Sequence, residues 1–522
     1  MTDDQIELRP ANENPWYVLA TYHGEQPENE FDEILHGRNR EVWNRWIAVA
    51  LSDEDRQKLI DEKRATAAEL NPFTAEERRE LWAGCRSSEL PAPDPDSDTV
   101  FSETVFTRFV SFKHFIFPAR IFFFRSDFQG YVDFQHAAFQ GYAVFRHAAF
   151  LEYAAFRHAA FLGYTDFRDV AFQGDADFRD VAFQGYVDFQ HAVFQGEAYF
   201  QHAAFLRNAY FQHAAFLRNA GFQHAAFLRN ADFQHAVFLR NADFQHAPFL
   251  RNADFQHAVF QGEAYFLHAT FQDSAYFLQA VFQGNAYFNG SATREDTAKS
   301  GQFSGFVNFG KATFSMSVDF TNREFLDQTH FNNAKFLNQA PVFADTKLHE
   351  GTTWHGVQWP GTPDDPVAAR NMADAYSHLR RRSNAIQDHE AELDFYGREL
   401  RAKRAAVGGA TGLLISLYEW SCGFGASVGL PIYWLLGLWT AMAPVYHLIL
   451  QHAGRTGIEP AQLYGFSFAS LGGFFGMRKE FFSSFTEQLP ALAQTLSGVQ
   501  SLLGAVFVFL LGLSLRNRFR IK

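Results

Sequence analysis

The chain has 522 residues, a net charge of −13, 62 phenylalanines and two cysteines, Cys85 and Cys422. That aromatic content excludes a disordered chain, which lacks apolar surface to bury. Two cysteines exclude a disulfide scaffold and any Cys-rich zinc or iron–sulfur centre. The charge is uneven: residues 1–98 carry net −12, residues 99–288 net −3 and residues 289–522 net +2.

The opening MTDDQIELRP has neither the basic nor the apolar region of a signal peptide. Residues 1–88 read as an acidic, helical N-terminal domain with Trp16, Tyr17, Trp43, Trp46 and Trp82 as its core. Ser52 opens one helix; Thr74, with Glu77 three residues on, opens another as a capping box. No catalytic spacing occurs here. The expectation is a cap over the element that follows, with the acidity as a solvated surface. An acidic docking face for a basic partner is the alternative. Residues 89–100, including ELPAPDPDSD, read as a linker.

From Phe101 to Phe288 a phenylalanine recurs at alternating spacings of 5 and 6 without a miss, giving 35 positions. Phe303, Phe309, Phe314, Phe320, Phe325, Phe331 and Phe336 repeat the rhythm. A small or β-branched residue stands two before most of them, as Ala137 before Phe139 and Val170 before Phe172. This grammar alternates inward and outward side chains as a strand does. Spacings of 5 and 6 walk around a 3.6-residue helix, so a helical reading fails. Short extended faces joined by corners, each turn stacked on the last, fit instead. A core filled by its own rings leaves no room for a substrate.

Two features decorate this period. His recurs two residues after Phe (His136, His147, His158, then every 11 residues from His191 to His268), in two outward columns. Copying of a repeat unit explains the regularity; stacked imidazoles that bind metal or titrate together are the sharper reading. Arg207, Arg218, Arg229, Arg240 and Arg251, near Asp232, Asp243 and Asp254, read as solubilising surface charge. Pro248 stands at an outward position before Phe249, and residues 289–302 interrupt the rhythm as a polar loop.

The stretches FQGYVDFQHAVFQGEAYF (183–200) and FQHAAFLRNAYFQHAAFLRNAGF (200–222) resemble the Phe-centred form of the pentapeptide-repeat family. The resemblance covers about 101–350. It implies a mainly β fold, a right-handed quadrilateral β-helix with phenylalanines stacked in ladders. Phe139, Phe145, Phe150, Phe156, Phe161, Phe205, Phe211, Phe216, Phe222 and Phe233 are the expected core ladder. At 22 residues per coil the regular part makes about 10 coils and, at ~4.8 Å each, a rod roughly 48 Å long. Some relatives imitate duplex DNA with an acid-covered rod. A regular rod of net −3 does not, and no nucleic-acid partner is expected.

Beyond Trp354, Trp359 and PGTPDDP, residues 367–405 read as one long, charged amphipathic helix. Met372, Tyr376, Leu379, Ile386, Leu393, Tyr396 and Leu400 form its apolar stripe. Residues 408–522 read as a membrane domain. Gly408–Ala426 is amphipathic and suits an interface. The spans fall near 428–450 and 496–515, the first bent by Pro431 and Pro444. Arg401, Lys403 and Arg404 precede the spans and Arg516, Arg518, Arg520 and Lys522 follow them. Between them Arg455, Arg478 and Lys479 are offset by Glu459, Glu480 and Glu487. The positive-inside rule then puts both ends and the β-helix in the cytoplasm of a multi-pass inner (cell) membrane protein. Two unpaired cysteines suit a reducing compartment.

The segments DHEAELDFYGRELRAKR (388–404) and LGLSLRNRFRIK (511–522) resemble the membrane-attached branch of bacterial pentapeptide-repeat proteins. Some relatives carry a two-span tail with a pore loop similar to potassium channels. LYGFSFASLGGFFGMRKEFFSSF (463–485) has that position and length but lacks a TVGYG-type filter. The leading reading is a membrane-anchored scaffold for protein interaction; the alternative is a channel-like or sensory membrane protein gated by the β-helix. Expected partners are the membrane and a protein of open identity, with a second copy of the chain also open. No enzyme, catalytic residue, cofactor or metal site is expected: CxxC, HExxH, Walker and GxSxG patterns are missing, and His447 and His452 have no matched partner nearby.

Overall fold

The computed structural model describes residues 8–27, 30–87, 89–290, 301–455 and 457–519. They form two compact units, 1–361 and 362–522.

The first unit is a parallel β-solenoid. Two- and three-residue strands stack into four sheets of 12, 11, 10 and 10 strands, and each strand pairs with the strand four further along the chain. The usual register is 22 residues, as Phe150 on Phe172 and Phe161 on Phe183. The phenylalanines form four ladders inside. In one, Phe189, Phe211 and Phe233 follow at 4.9 and 4.7 Å between ring centroids, within 7° of parallel. Rings of adjacent ladders meet edge to face, as Phe211 with Phe200 at 5.7 Å and 89°. Aromatic pairs favour this geometry over random contact. The inward alanines and valines beside them, such as Ala137, Ala143, Val170 and Val187, are fully buried. They leave the width that two facing rings need.

The N-terminal end is closed. Four helices precede the coils: α1 (Pro15–Ala20), α2 (Glu33–Ile47), α3 (Asp53–Asp61) and α4 (Ala75–Ala83). Ser52 caps α3, and Thr74 with Glu77 makes a complete capping box on α4. The helices are not a free-standing domain. Trp43 of α2 lies against Phe115 and Phe117 and donates its indole N–H to the Ile116 carbonyl at 2.8 Å. Arg9–Pro10 adds a parallel strand beside Thr104–Val105 and so pairs the first edge. The stretch read as a linker ends in solenoid: Thr99–Val100 pairs with Ile121–Phe122.

At the far end the ladders outrun the expected limit of residue 350. Phe343 stacks on Phe320, Trp354 on Phe331 at 4.4 Å and Trp359 on Phe336 at 5.4 Å. The step here is 23 residues instead of 22, and the larger indoles finish the stacks. Pro248 starts a strand and pairs with the coil below only through Phe249, because its nitrogen has no hydrogen to donate. Of the interrupting loop, residues 291–300 lie outside the described residues; Phe303 resumes the stack on Phe271 at 4.7 Å.

The second unit is helical: α5 (Pro366–Ala385), α6 (His389–Val407), α7 (Gly409–Cys422), α8 (Gly429–His452), α9 (Pro460–Leu471), α10 (Met477–Glu487) and α11 (Ala491–Phe519). The single helix expected over 367–405 is two. Gln387 takes a left-handed φ of 61°, and the Asp388 carboxylate accepts from the Ala391 N–H to start α6. The reset shifts the inward face. Phe395, Glu399 and Ala402 are buried in α6 in place of Leu393, Tyr396 and Leu400. α5 and α6 pack as a hairpin, with Tyr376 stacked on Phe395 and Arg380 paired to Glu399 at 2.7 Å.

Candidate functional site

The solenoid offers surface, and its corners decide what that surface displays. In nearly every coil, two diagonally opposite corners turn through one left-handed residue; Gly290 is an exception. At the twelve histidines from His114 to His268 that residue has φ of 56–60°; Asp169, Asp180, Asn322 and Asn333 take the same conformation. Asn, Asp and His tolerate this region best among residues with a side chain. The His columns therefore have a backbone cause that spacing alone did not reveal. In one column His191, His213, His235 and His257 stack at 4.6–4.9 Å; in the other His202, His224, His246 and His268 do so at 4.8–4.9 Å. Partial burial first, then the stacked neighbours, hold His213 and His224 below the usual imidazole range. No cluster of three or more His, Cys, Asp or Glu converges on a metal position among the described residues.

The outward Asp residues have local work as well. Asp232, Asp243 and Asp254 accept the backbone N–H of Gln234, Gln245 and Gln256 at 2.9–3.0 Å. They also accept the side-chain amides of Gln212, Gln223 and Gln234 from the preceding coil at 2.6–2.8 Å. These carboxylates are served by glutamine, while Arg251 of the arginine set pairs with Asp273 at 3.9 Å.

All ten phenylalanines expected in the core ladder, Phe139, Phe145, Phe150, Phe156, Phe161, Phe205, Phe211, Phe216, Phe222 and Phe233, are completely buried. Arg323 breaks the pattern. It takes the place of an inward alanine, is fully buried, and none of its three guanidinium nitrogens finds a hydrogen-bond partner. It lies over the Phe303 ring at 4.4 Å, and burial lowers its pKa to about 9. Under the N-terminal helices, burial pushes His114 down to about 3 and His36 and His136 to about 4, while Asp133 rises to about 6.

The helical unit displays a different surface. α8 and α11 are long and apolar enough to cross a membrane, with mean hydropathies of 1.3 and 2.0 over their best windows. Only 11 % and 17 % of those windows is buried. Leu448, Leu502 and Phe509 point outward. α9 packs against both α8 and α11, and a buried polar seam joins the three helices. Tyr446 donates to the Gln500 side-chain oxygen at 2.7 Å, the Gln500 amide donates to Ser467, and Ser467 donates to the Trp439 carbonyl. The sequence reading missed this seam; Gln500, the one amide in an otherwise apolar span, was its signal.

Of the expected topology determinants, Arg401 and Arg404 share the carboxylate of Glu419 on α7 at 2.6 and 2.5 Å, and Lys403 pairs with Glu399 at 2.5 Å. Arg516 and Arg518 stand in the last turn of α11. Arg520 lies outside the described residues.

Comparison with known proteins agrees with the coils. The family described as Pentapeptide repeats (9 copies) matches residues 123–171, 156–204, 200–248 and 244–292. No curated protein and no solved structure matches the chain. The coils on either side of the match carry the same ladders into Phe101 and Trp359. The match and the 22-residue coil with its four aromatic stacks identify residues 123–292 as pentapeptide repeats.

Proposed function

We propose that the chain is a membrane-anchored scaffold: the solenoid presents a rigid, repetitive surface to a protein partner, and α8 and α11 fix it at the membrane. One observation carries the reading. A solenoid filled by its own rings is joined to two long apolar helices whose outer faces nothing among the described residues covers. An interior of this kind holds no substrate, which favours display over catalysis. The basic residues before α7 and after α11 favour an orientation with both ends and the solenoid in the cytoplasm. Alkaline carbonate extraction of membranes holding the full chain tests the anchor. Retention in the pellet is expected, and release to the supernatant would remove it. A cysteine at Gly457, in place of the two native ones, is expected to label from outside the cell only.

A channel-like activity is the second reading, favoured by α9, a 12-residue half-helix packed between the spans and followed by a single 3-10 turn at Gly473–Phe475. Gly472, Gly473, Phe474 and Phe475 at that turn are unlike a potassium filter. Planar-bilayer recording of the reconstituted full chain decides it, and silence from correctly assembled protein counts against it.

A further inference from the structure

Asp133 ends the strand Val132–Asp133, at an outward position that other coils also fill with aspartate. Each of those others has a side-chain partner. Arg168 and Arg179 serve Asp166 and Asp177, and the Tyr164 hydroxyl serves Asp188. Gln212, Gln223 and Gln234 serve Asp232, Asp243 and Asp254, and Asn289 serves Asp319. Asp133 has none among the described residues. One of its oxygens accepts the Gln135 backbone N–H at 2.8 Å, and the other is left without a donor. The sequence explains the gap. Tyr153 and Tyr164 stand 24 residues before Asp177 and Asp188 and donate to them, whereas Phe109 stands 24 before Asp133. Gln212 stands 20 before Asp232, whereas Lys113 stands 20 before Asp133 and turns its ammonium to the Phe31 ring at 5.8 Å. The Gln135 amide turns to the Tyr131 hydroxyl.

A carboxylate oxygen without a donor, on a residue only 5 % exposed, is costly unless something answers it. Asp133 lines a groove of about 420 Å³ between the N-terminal segment and the first coils, a size that suits a ligand. Phe31, Phe109 and Tyr131 wall it. Phe109 stacks on Tyr131 at 4.8 Å, and Phe31 meets Phe109 edge to face at 5.9 Å. Glu30 and Lys113 also line the groove, and their charges offset each other, which leaves that of Asp133. Around it, residues 1–98 carry net −12. Aromatic rings beside a carboxylate, in a negative field, favour a cation.

Resting on the reading of the solenoid as a surface for a protein partner, we propose that this groove receives an arginine side chain of that partner. Its guanidinium packs against the three rings and donates to the unserved oxygen of Asp133. A guanidinium fits because it stacks on rings and donates to carboxylates from a single plane. A sugar would stack on the same rings but would gain nothing from the charge.

The test uses the full chain in detergent and saturation-transfer NMR, with N-acetylarginine amide, its neutral glutamine counterpart and methyl glucoside as separate probes. Binding of the arginine probe is expected. Asp133→Asn is expected to weaken it about tenfold or more. Phe109→Tyr is expected to do the same, by bringing in the hydroxyl that Tyr153 and Tyr164 supply elsewhere. Asp243→Asn, at the same strand position but served by Gln223, is expected to leave binding unchanged. An arginine probe that does not bind, that binds no better than the glutamine probe, or that binds all these variants as it binds wild type overturns the proposal. Preference for the glucoside overturns it too. Carbonate extraction is read separately. A chain that stays in the pellet but ignores arginine keeps its anchor and loses this groove; one that is released but binds arginine keeps the groove and loses the anchor.

Discussion

The solenoid and the apolar helices solve opposite packing problems. In the solenoid the ladder phenylalanines turn inward onto their counterparts one coil away, and the outside is left mostly to polar residues, with Tyr142 and Tyr186 among the few exposed rings. In the helical unit the polar groups turn inward, Tyr446, Ser467 and Gln500 among them, and Phe509 is 70 % exposed. Under the proposed anchoring, the inversion is what two different solvents select. Water drives the first to hide its rings. A bilayer rewards the second for hiding its amides and hydroxyls.

Substitutions that exchange these rules sharpen the contrast. The largest effect belongs to Phe211→Ala, which removes one rung and leaves a ring-sized hole between Phe189 and Phe233; it is expected to cost about 3–5 kcal/mol in denaturant unfolding of the full chain in detergent. A change of 1 kcal/mol or less would mean that the stack is loose. Next comes Phe509→Arg on the outward face of α11. It should weaken membrane insertion by about 3 kcal/mol, read as loss from the carbonate-resistant pellet. Unchanged retention would break the comparison, because that face would then not meet lipid. Smaller still is His224→Val at a left-handed corner, expected to cost about 1–2 kcal/mol in the same unfolding assay. His224→Asn should stay within about 0.5 kcal/mol of wild type. Equal effects of the two would show that the ring matters more than the backbone.

Acid gives the mildest test. His36, His114 and His136 are held down to about 3–4 in the folded protein against 6.5 in the unfolded chain. The unfolded chain therefore binds more protons between those values. The stability these groups support is complete above about pH 6.5 and drains away as the pH falls toward 4. Asp133, raised to about 6 from 3.8, works the other way over about pH 6 to 4 and offsets one of the three. Unfolding of the N-terminal end near pH 5 is expected to take up about two protons, measured as the slope of stability against pH. His114→Asn should flatten that slope by about one proton.

Much of this was legible before any coordinates. The alternation of 5 and 6 between Phe101 and Phe288 fixes coil length, ring positions and the direction of the alanines, because one rule governs every rung. Legibility failed where a rule changed. Trp354 and Trp359 continue the ladders, but a 23-residue step and a new residue type hid them. The break before α6 depends on a single left-handed residue, Gln387, inside an otherwise unbroken helical pattern. Arg323 looks like an ordinary surface residue in sequence, and Gln500 stands out only as an amide in an apolar stretch. Only three-dimensional packing reveals that one lies over a ring and the other ties three helices together.

The corner at Gly290 has a practical meaning. Ten residues separate Gly290 from Gly301, where other coils pass directly from one position to the next, and Phe303 still meets Phe271 in parallel. Foreign sequence can thus be spliced into a vertex without disturbing the masonry inside. An epitope or enzyme grafted at this vertex would hang from one storey of the column while the storeys on either side stay stacked.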